Sequence, residues 1–268
     1  MTEQNTDQTD NTLTKNAPAE NKLLAVASGK GGVGKTWFSI TLSHTLAQQG
    51  KRVLLFDGDL GLANVDVQLG LMAKRDLNDV IEGNLSIDKA ITRYEEGGFD
   101  VLAGRSGHGS LSALPLQKLN EILQNLKSIS KNYDVVVLDL GAGVDKTVRF
   151  LSGAANTMIA VTTDEPTSLT DVYALIKLSH AAGTSDNIQV VVNNALPKDA
   201  ESTYATLSKA CKNFLKIDPP LLGIIRHDKR VKEAIRAQIP FMTRSPNSEA
   251  AEDMNKIAKS VLELMSHG

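Results

Sequence analysis

The chain has 268 residues, of which 41% are apolar and 22% charged, with a formal net charge of −2. That composition fits a globular protein with a sizeable core, and the balanced charge excludes a global pull towards nucleic acid or an anionic membrane. The lone Cys211 excludes an intrachain disulfide and the thiolate set of an iron–sulfur cluster, and it points to the cytosol.

In chain order, residues 1–21 are rich in Thr, Asn, Gln and Asp and lack the apolar centre of a signal peptide, so they are expected to form a disordered polar tail. A domain over 22–268 follows. No run approaches the roughly 18 apolar residues of a membrane span. Strands are predicted at Leu23–Ser28, Arg52–Asp57, Phe99–Ala103, Val135–Asp139, Thr157–Thr163, Ile188–Asn193 and Leu221–Ile225. Helix-length segments alternate with them, including Trp37–Leu46, Pro115–Ile129, Ser168–Ala182 and Ser202–Leu215. Continuous apolar runs such as VVVL imply burial on both faces. The expected fold is therefore α/β, a single doubly wound, mostly parallel sheet with helices on both sides. Ligands of such sheets bind at the carboxyl ends of the strands.

The first strand runs into Gly29-Lys30-Gly31-Gly32-Val33-Gly34-Lys35-Thr36, which fits G-x-x-x-x-G-K-[ST]. At a strand-to-helix turn the free N–H groups and the positive end of the helix dipole suit a polyphosphate. Gly31, Gly32 and Gly34 let the backbone wrap it without a Cβ in the way. Lys35 is expected to reach the β- and γ-phosphates, and the Thr36 hydroxyl to hold Mg²⁺. Trp37, the only tryptophan, follows directly and is expected beside the nucleotide, or else as packing for the first helix. Lys30 is a second lysine that a minimal loop does not need; it begins on the outer side, within reach of a neighbouring subunit's phosphate.

Past the second strand, Asp57 and Asp59 stand at i and i+2 in DGDLGLANVD. Asp59 is the candidate to orient the attacking water and help hold the Mg²⁺ shell, with Asp57 deeper and supporting the loop. Asp139 closes a buried apolar strand, an expensive place for a carboxylate unless it serves a cation, so it is assigned to Mg²⁺ through water. Gly141 and Gly143 after it allow close approach to the γ-phosphate. Asn193 ends a later strand with an amide that can both donate to and accept from adenine, with Asn194 as its rival.

KGGVGKT resembles the deviant phosphate loop of the MinD/ParA class of ATPases, and DGDLGLANVD matches that class's D-x-D-x-G-L-x-N-x-D. The resemblance implies that Lys30 crosses a dimer interface to the partner's nucleotide, that ATP with Mg²⁺ closes a sandwich homodimer, and that slow hydrolysis releases it. It also places the class's adenine-contacting Asn at Asn193 and its base-flanking G-x-I-P-x-D at GIIRHD, Gly223–Asp228, which makes Asp228 a weaker base-site candidate. DGDLGLANVDVQLGL, VLAGRSG (Val101 to Gly107), DEPTSLTDVYALIKL (Asp164 to Leu178) and VKEAIRAQIPF (Val231 to Phe241) are similar to the flagellar-number regulators of the FlhG/FleN branch. That likeness covers about residues 22–262 and implies control of flagellar number or placement. The implied partner is a flagellar transcription activator or a flagellar GTPase, and the implied location is cytoplasmic, or peripheral at the inner membrane or cell pole.

Several positions depart from the pattern. Leu140 stands where the class carries proline or threonine, and Arg226 where it carries proline. The branch's DQA-type docking motif has only Asp7-Gln8-Thr9 as a counterpart. In DEPTSLTDVYALIKL, Ser168 is a good helix N-cap, and Leu169, Val172, Leu175 and Ile176 give an apolar face. The last helix, about Asn247–Met265, aligns Ala251, Met254, Ala258, Val261, Leu262 and Met265 in one stripe. It is read as core packing rather than a membrane helix, because Lys256 and Lys259 are thin for an anionic surface. Alternatives are a ParA-type DNA-partition ATPase, a MinD-like division-site regulator, and an ATP-gated binding module that hardly hydrolyses. For non-specific DNA, residues 198–244 carry ten Lys/Arg against five acids, although a solvated mixed-charge surface explains the same count.

Overall fold

The computed structural model describes residues 22–59, 63–104, 114–184 and 186–267. The expected N-terminal tail, Asp7-Gln8-Thr9, the middle of DGDLGLANVD and the end of VLAGRSG lie outside them. Eight strands form one sheet: β1 (Leu23–Ser28), β2 (Val53–Gly58), β3 (Thr92–Tyr94), β4 (Phe99–Leu102), β5 (Val135–Ala142), β6 (Thr157–Thr162), β7 (Ile188–Ala195) and β8 (Leu221–Arg226). Their order is β3-β4-β2-β5-β1-β6-β7-β8. Every pairing is parallel except β3 with β4, an antiparallel hairpin at the edge.

The expected doubly wound sheet is present, and the period of two along its strands explains the layers. In β1, Leu23, Ala25 and Ala27 face one core while Leu24 and Val26 face the other. The first core is covered by helices α3 (Leu77–Ile81), α4 (Ile87–Ala90), α5 (Leu116–Ile129), α6 (Lys146–Gly153), α7 (Pro166–Ala181) and α8 (Pro197–Phe214). The second is covered by α1 (Lys35–Gln48), α2 (Val65–Leu69), α9 (Lys229–Ala237), α10 (Phe241–Arg244) and α11 (Glu249–His267). No helix among the described residues is long and apolar enough to cross a membrane.

Two expectations need correction. β3 was not foreseen, because the TRY triplet is too short to show a period and is held by pairing with β4. Ser168 does not cap α7: the helix begins two residues earlier, with Pro166 at its first position and Glu165 at the N-cap. The Ser168 hydroxyl is instead buried, 3.0 Å from Thr162 Oγ1, and accepts from the Thr163 N–H at 3.1 Å. It ties the start of α7 to the end of β6. In α11 the apolar stripe is buried: Ala251, Met254, Ala258 and Val261 are inside the second core, and Leu262 and Met265 pack against it.

Candidate functional site

The carboxyl ends of β1, β2, β5, β7 and β8 converge on the loop between β1 and α1. Gly32 (φ 84°) and Gly34 (φ 86°) lie in the left-handed region, where a Cβ is costly, so these two glycines carry the loop's curvature. Gly31 has no such φ; its expected need for glycine is not visible in this backbone. Gly29 serves space instead, since a Cβ there would collide with the Asp171 carbonyl of α7. Loop and α7 are thereby in direct contact.

Lys35, the first residue of α1, is buried, and its Nζ lies 3.0 Å from Asp139 Oδ1. Ser39, one turn on and on the same face, donates to that oxygen at 2.9 Å. Asp139 Oδ2 is also buried and accepts no hydrogen bond. A buried carboxylate oxygen that no donor faces costs free energy unless a cation or a water bound to one completes it. The oxygen donors Thr36 and Asp139, beside a loop built for phosphate, fit Mg²⁺, which takes one or two carboxylates and draws the rest of its shell from phosphates and water.

Asp57 lies beside Asp139 in the β2–β5 register and is fully buried. Burial, and after it the charge of Asp139, push its carboxyl up to about 7, against hydrogen bonds from the N–H groups of Asp59 (3.2 Å) and Val65 (3.3 Å). The expected supporting place of Asp57 is thus what the geometry displays. Asp59 is half-buried, next to Gly141: a Cβ on that glycine would lie 3.7 Å from the Asp59 carboxyl carbon. The structure therefore brings Lys35 and Asp139 into contact, with Thr36 next to Lys35 in the chain and Asp59 against Gly141, two residues past Asp139.

Lys30 points elsewhere. Its Nζ donates to Glu165 Oε2 at 2.9 Å and to Thr167 Oγ1 at 2.8 Å, at the start of α7. Both side chains of the ion pair are well exposed.

A cleft of about 500 Å³ opens beyond the loop, lined among others by Gly32, Val33, Gly34, Trp37, Asn193 and the turn Arg226–Asp228. Asn193 is buried and its amide donates to the Val33 carbonyl at 2.8 Å, passing so close to Gly34 that a Cβ there would sit 2.5 Å from Nδ2. It braces the phosphate loop, a duty that nothing in an isolated strand-end Asn signals. Asn194, its rival, has φ 58°, and its Oδ1 lies 2.8 Å from His227 Nδ1. Asp228 caps α9, accepting from the Arg230 N–H at 2.9 Å and its guanidinium at 2.8 Å. Burial raises the pKa of Asp228, but those bonds outweigh it and hold it below the usual range. Trp37 is buried against Phe241 in an edge-to-face contact at 5.4 Å, the packing role expected for it, and it also lines the cleft. Ser39 was missed; its signal was its position one turn after Lys35.

Among the described residues, four of the ten cations of residues 198–244 pair with acids, Arg244 among them with Glu233 at 3.8 Å. Lys212 pairs with Asp218, Arg230 with Asp228, and Arg226 with Glu249, Glu252 and Asp253 of α11, outside the counted window. The positive surplus in sequence is smaller in space.

Residues 24–241 match the family model described as the CobQ/CobB/MinD/ParA nucleotide binding domain. The chain is 38% identical over 241 residues to the antiactivator FleN of Pseudomonas aeruginosa, covering 90% of this chain and 86% of that one. It is 29% identical to the flagellum site-determining protein YlxH of Helicobacter pylori, with 92% and 84% covered. Among solved structures, the septum site-determining protein MinD of Pyrococcus horikoshii, complexed with Mg-ADP, superposes with a TM-score of 0.75 at 27% identity, over 91% of this chain and 96% of that one. With the phosphate loop, its buried Lys35–Asp139 pair and this match over most of its length, the chain belongs to the CobQ/CobB/MinD/ParA family of nucleotide-binding domains.

Proposed function

We propose that the protein is a Mg²⁺-dependent, dimerising ATPase that acts as a switch controlling flagellar number or placement. The observation that carries the chemistry is the buried Lys35–Asp139 pair with its unsatisfied Asp139 Oδ2 at the mouth of the loop. The flagellar assignment is supported by the likeness to FleN and YlxH across nine-tenths of the chain.

In this reading the loop N–H groups and Lys35 bind the β- and γ-phosphates, with Lys35 exchanging Asp139 for phosphate. Thr36, Asp59 and Asp139 would hold Mg²⁺, which supplies charge neutralisation on the phosphates when bound. Asp59 orients the water for in-line attack on the γ-phosphoryl group, so catalysis rests on positioning and charge stabilisation. Lys30 leaves Glu165 and Thr167 to reach the partner's nucleotide, which makes the ATP form a dimer. Asn193, Trp37 and Asp228 belong to the base end of the cleft. The protein acts in the cytoplasm and hands its state to a protein partner, a transcription activator or a GTPase of the flagellar system.

The test is a deletion in the native host, complemented with the wild type, Lys35→Ala or Asp59→Ala. Extra or misplaced flagella, rescued only by the wild type, are expected. Asp59→Ala should lose turnover about a hundredfold and persist as an ATP dimer in light scattering. Normal flagella with DNA retained by Asp59→Ala would shift the assignment to partition.

A further inference from the structure

The most heavily bonded charge in the described structure lies outside the phosphate site, at the end of β8. Arg226 donates through Nε to Asp253 Oδ2 and through a terminal nitrogen to Asp253 Oδ1, both at 2.9 Å, a bidentate fork. Its backbone N–H donates to Asp253 Oδ2 as well, at 3.0 Å. Glu249 (3.0 Å) and Glu252 (3.2 Å) complete the shell. Asp253 is 7% exposed, so this is an anchored contact rather than a surface pairing. One turn along the same face of α11, Ile257 fills the space opened by Gly223 of β8: a Cβ on that glycine would lie 2.5 Å from Ile257. β8 and α11 are thus locked at two points, one apolar and one ionic.

The residues that Arg226 fixes are walls of the cleft. Directly after it come His227, hydrogen-bonded to Asn194, and Asp228, the cap of α9. Next to Asn194 stands Asn193, which holds the Val33 carbonyl of the phosphate loop. The loop, the two strand-end turns and α11 are therefore connected by consecutive short polar contacts.

We propose that Arg226 is a positioning residue of the nucleotide cleft: by gripping Asp253 it sets the β8–α9 turn as the wall against which the nucleoside lies, and it makes α11 respond to occupancy. This rests on the cleft being a nucleotide site. A proline at this position could donate neither the backbone bond nor the fork, so the coupling belongs to this chain's own residue.

Hydrogen exchange of the full chain with and without Mg²⁺·ADP reads both parts at once. In the wild type, ADP should slow exchange at Gly29–Thr36, at the β8–α9 turn and in the first turns of α11. In Arg226→Ala, protection of the loop should remain, ADP should bind about tenfold more weakly, and the ADP-dependent change in α11 should vanish. Arg226→Lys, which keeps the charge but not the fork, should recover part of both. Asp253→Asn, which keeps the shape, should repeat the Arg226→Ala pattern if the latter folds poorly. Protection of the loop with none in α11 of the wild type would overturn the proposal, as would wild-type ADP affinity in both variants. No protection at Gly29–Thr36 would sink the nucleotide reading itself, and the proposal with it.

Discussion

Two lysines of one loop make ion pairs of nearly equal length and opposite character. Lys35 meets Asp139 at 3.0 Å with both side chains almost wholly buried, at 7% and 1% exposure. Lys30 meets Glu165 at 2.9 Å with 37% and 64% exposed. Distance does not separate them; surroundings do. In the interior each partner depends on the other to offset desolvation, and losing one leaves an uncompensated charge. In solvent the same pair is screened and can be given up at little cost. In the proposed function Lys35 stays in place until phosphate replaces the carboxylate and Lys30 moves to the partner, and the surroundings of the two pairs are consistent with that division.

The largest effect is expected where the buried pair is broken. Lys35→Ala should abolish nucleotide binding in calorimetry and lower stability by about 3–5 kcal/mol in denaturant titration, because Asp139 is left alone in the core. Retained binding would remove Lys35 from the phosphate site. Next comes the pH dependence of the same cluster. The Asp57 carboxyl stands at about 7 in the fold against 3.8 for the ordinary group. Between those values the folded state holds a proton that the unfolded chain has lost. Stability should therefore fall as pH rises from about 4 to 7 and level off above, and Asp57→Asn should flatten that slope in thermal melts. A slope unchanged by the substitution would place the buried proton elsewhere. A smaller loss attends Asn193→Ala, which leaves the Val33 carbonyl without its donor. A cost of about 1–3 kcal/mol is expected, with weaker nucleotide binding, and unaltered affinity would mean that the loop holds its shape unaided.

The same contrast explains how much was legible in the sequence. The buried end announced itself. GKGGVGKT, Asp59 and Asp139 stand at fixed offsets from apolar strands, because backbone curvature, a lysine and a carboxylate at a strand end admit few residue types. The sheet was legible for a similar reason, since two-sided burial demands unbroken apolar runs. The other end of the cleft is built from contacts between residues far apart in the chain. Arg226 with Asp253, Asn194 with His227 and Asn193 with Val33 span 27, 33 and 160 positions, and no local pattern encodes such pairings. Arg226 was visible only as a departure, and its role appeared once α11 was in place beside it. The acids that α11 brings to that surface likewise reduced a charge count confined to one stretch.

Lys30→Ala is the substitution with the least expected effect on the single chain and the sharpest on assembly. It removes an exposed pair, so denaturant titration should register less than about 1 kcal/mol. Lys35, Thr36 and Asp139 stay as they are, and affinity for ADP should match the wild type. The change should appear only when ATP is present and two chains meet, as loss of the dimer in light scattering and a fall in turnover per chain. Glu165→Gln separates the two duties of the lysine: without the carboxylate that holds it at α7, Lys30 is easier to release, and dimers should form at lower ATP. If Lys30→Ala dimerises normally, the lysine is a solvated loop charge, and closure of the dimer must be carried by other residues. If it loses ADP affinity as well, Lys30 acts on its own chain's phosphates and the division of labour between the two lysines fails.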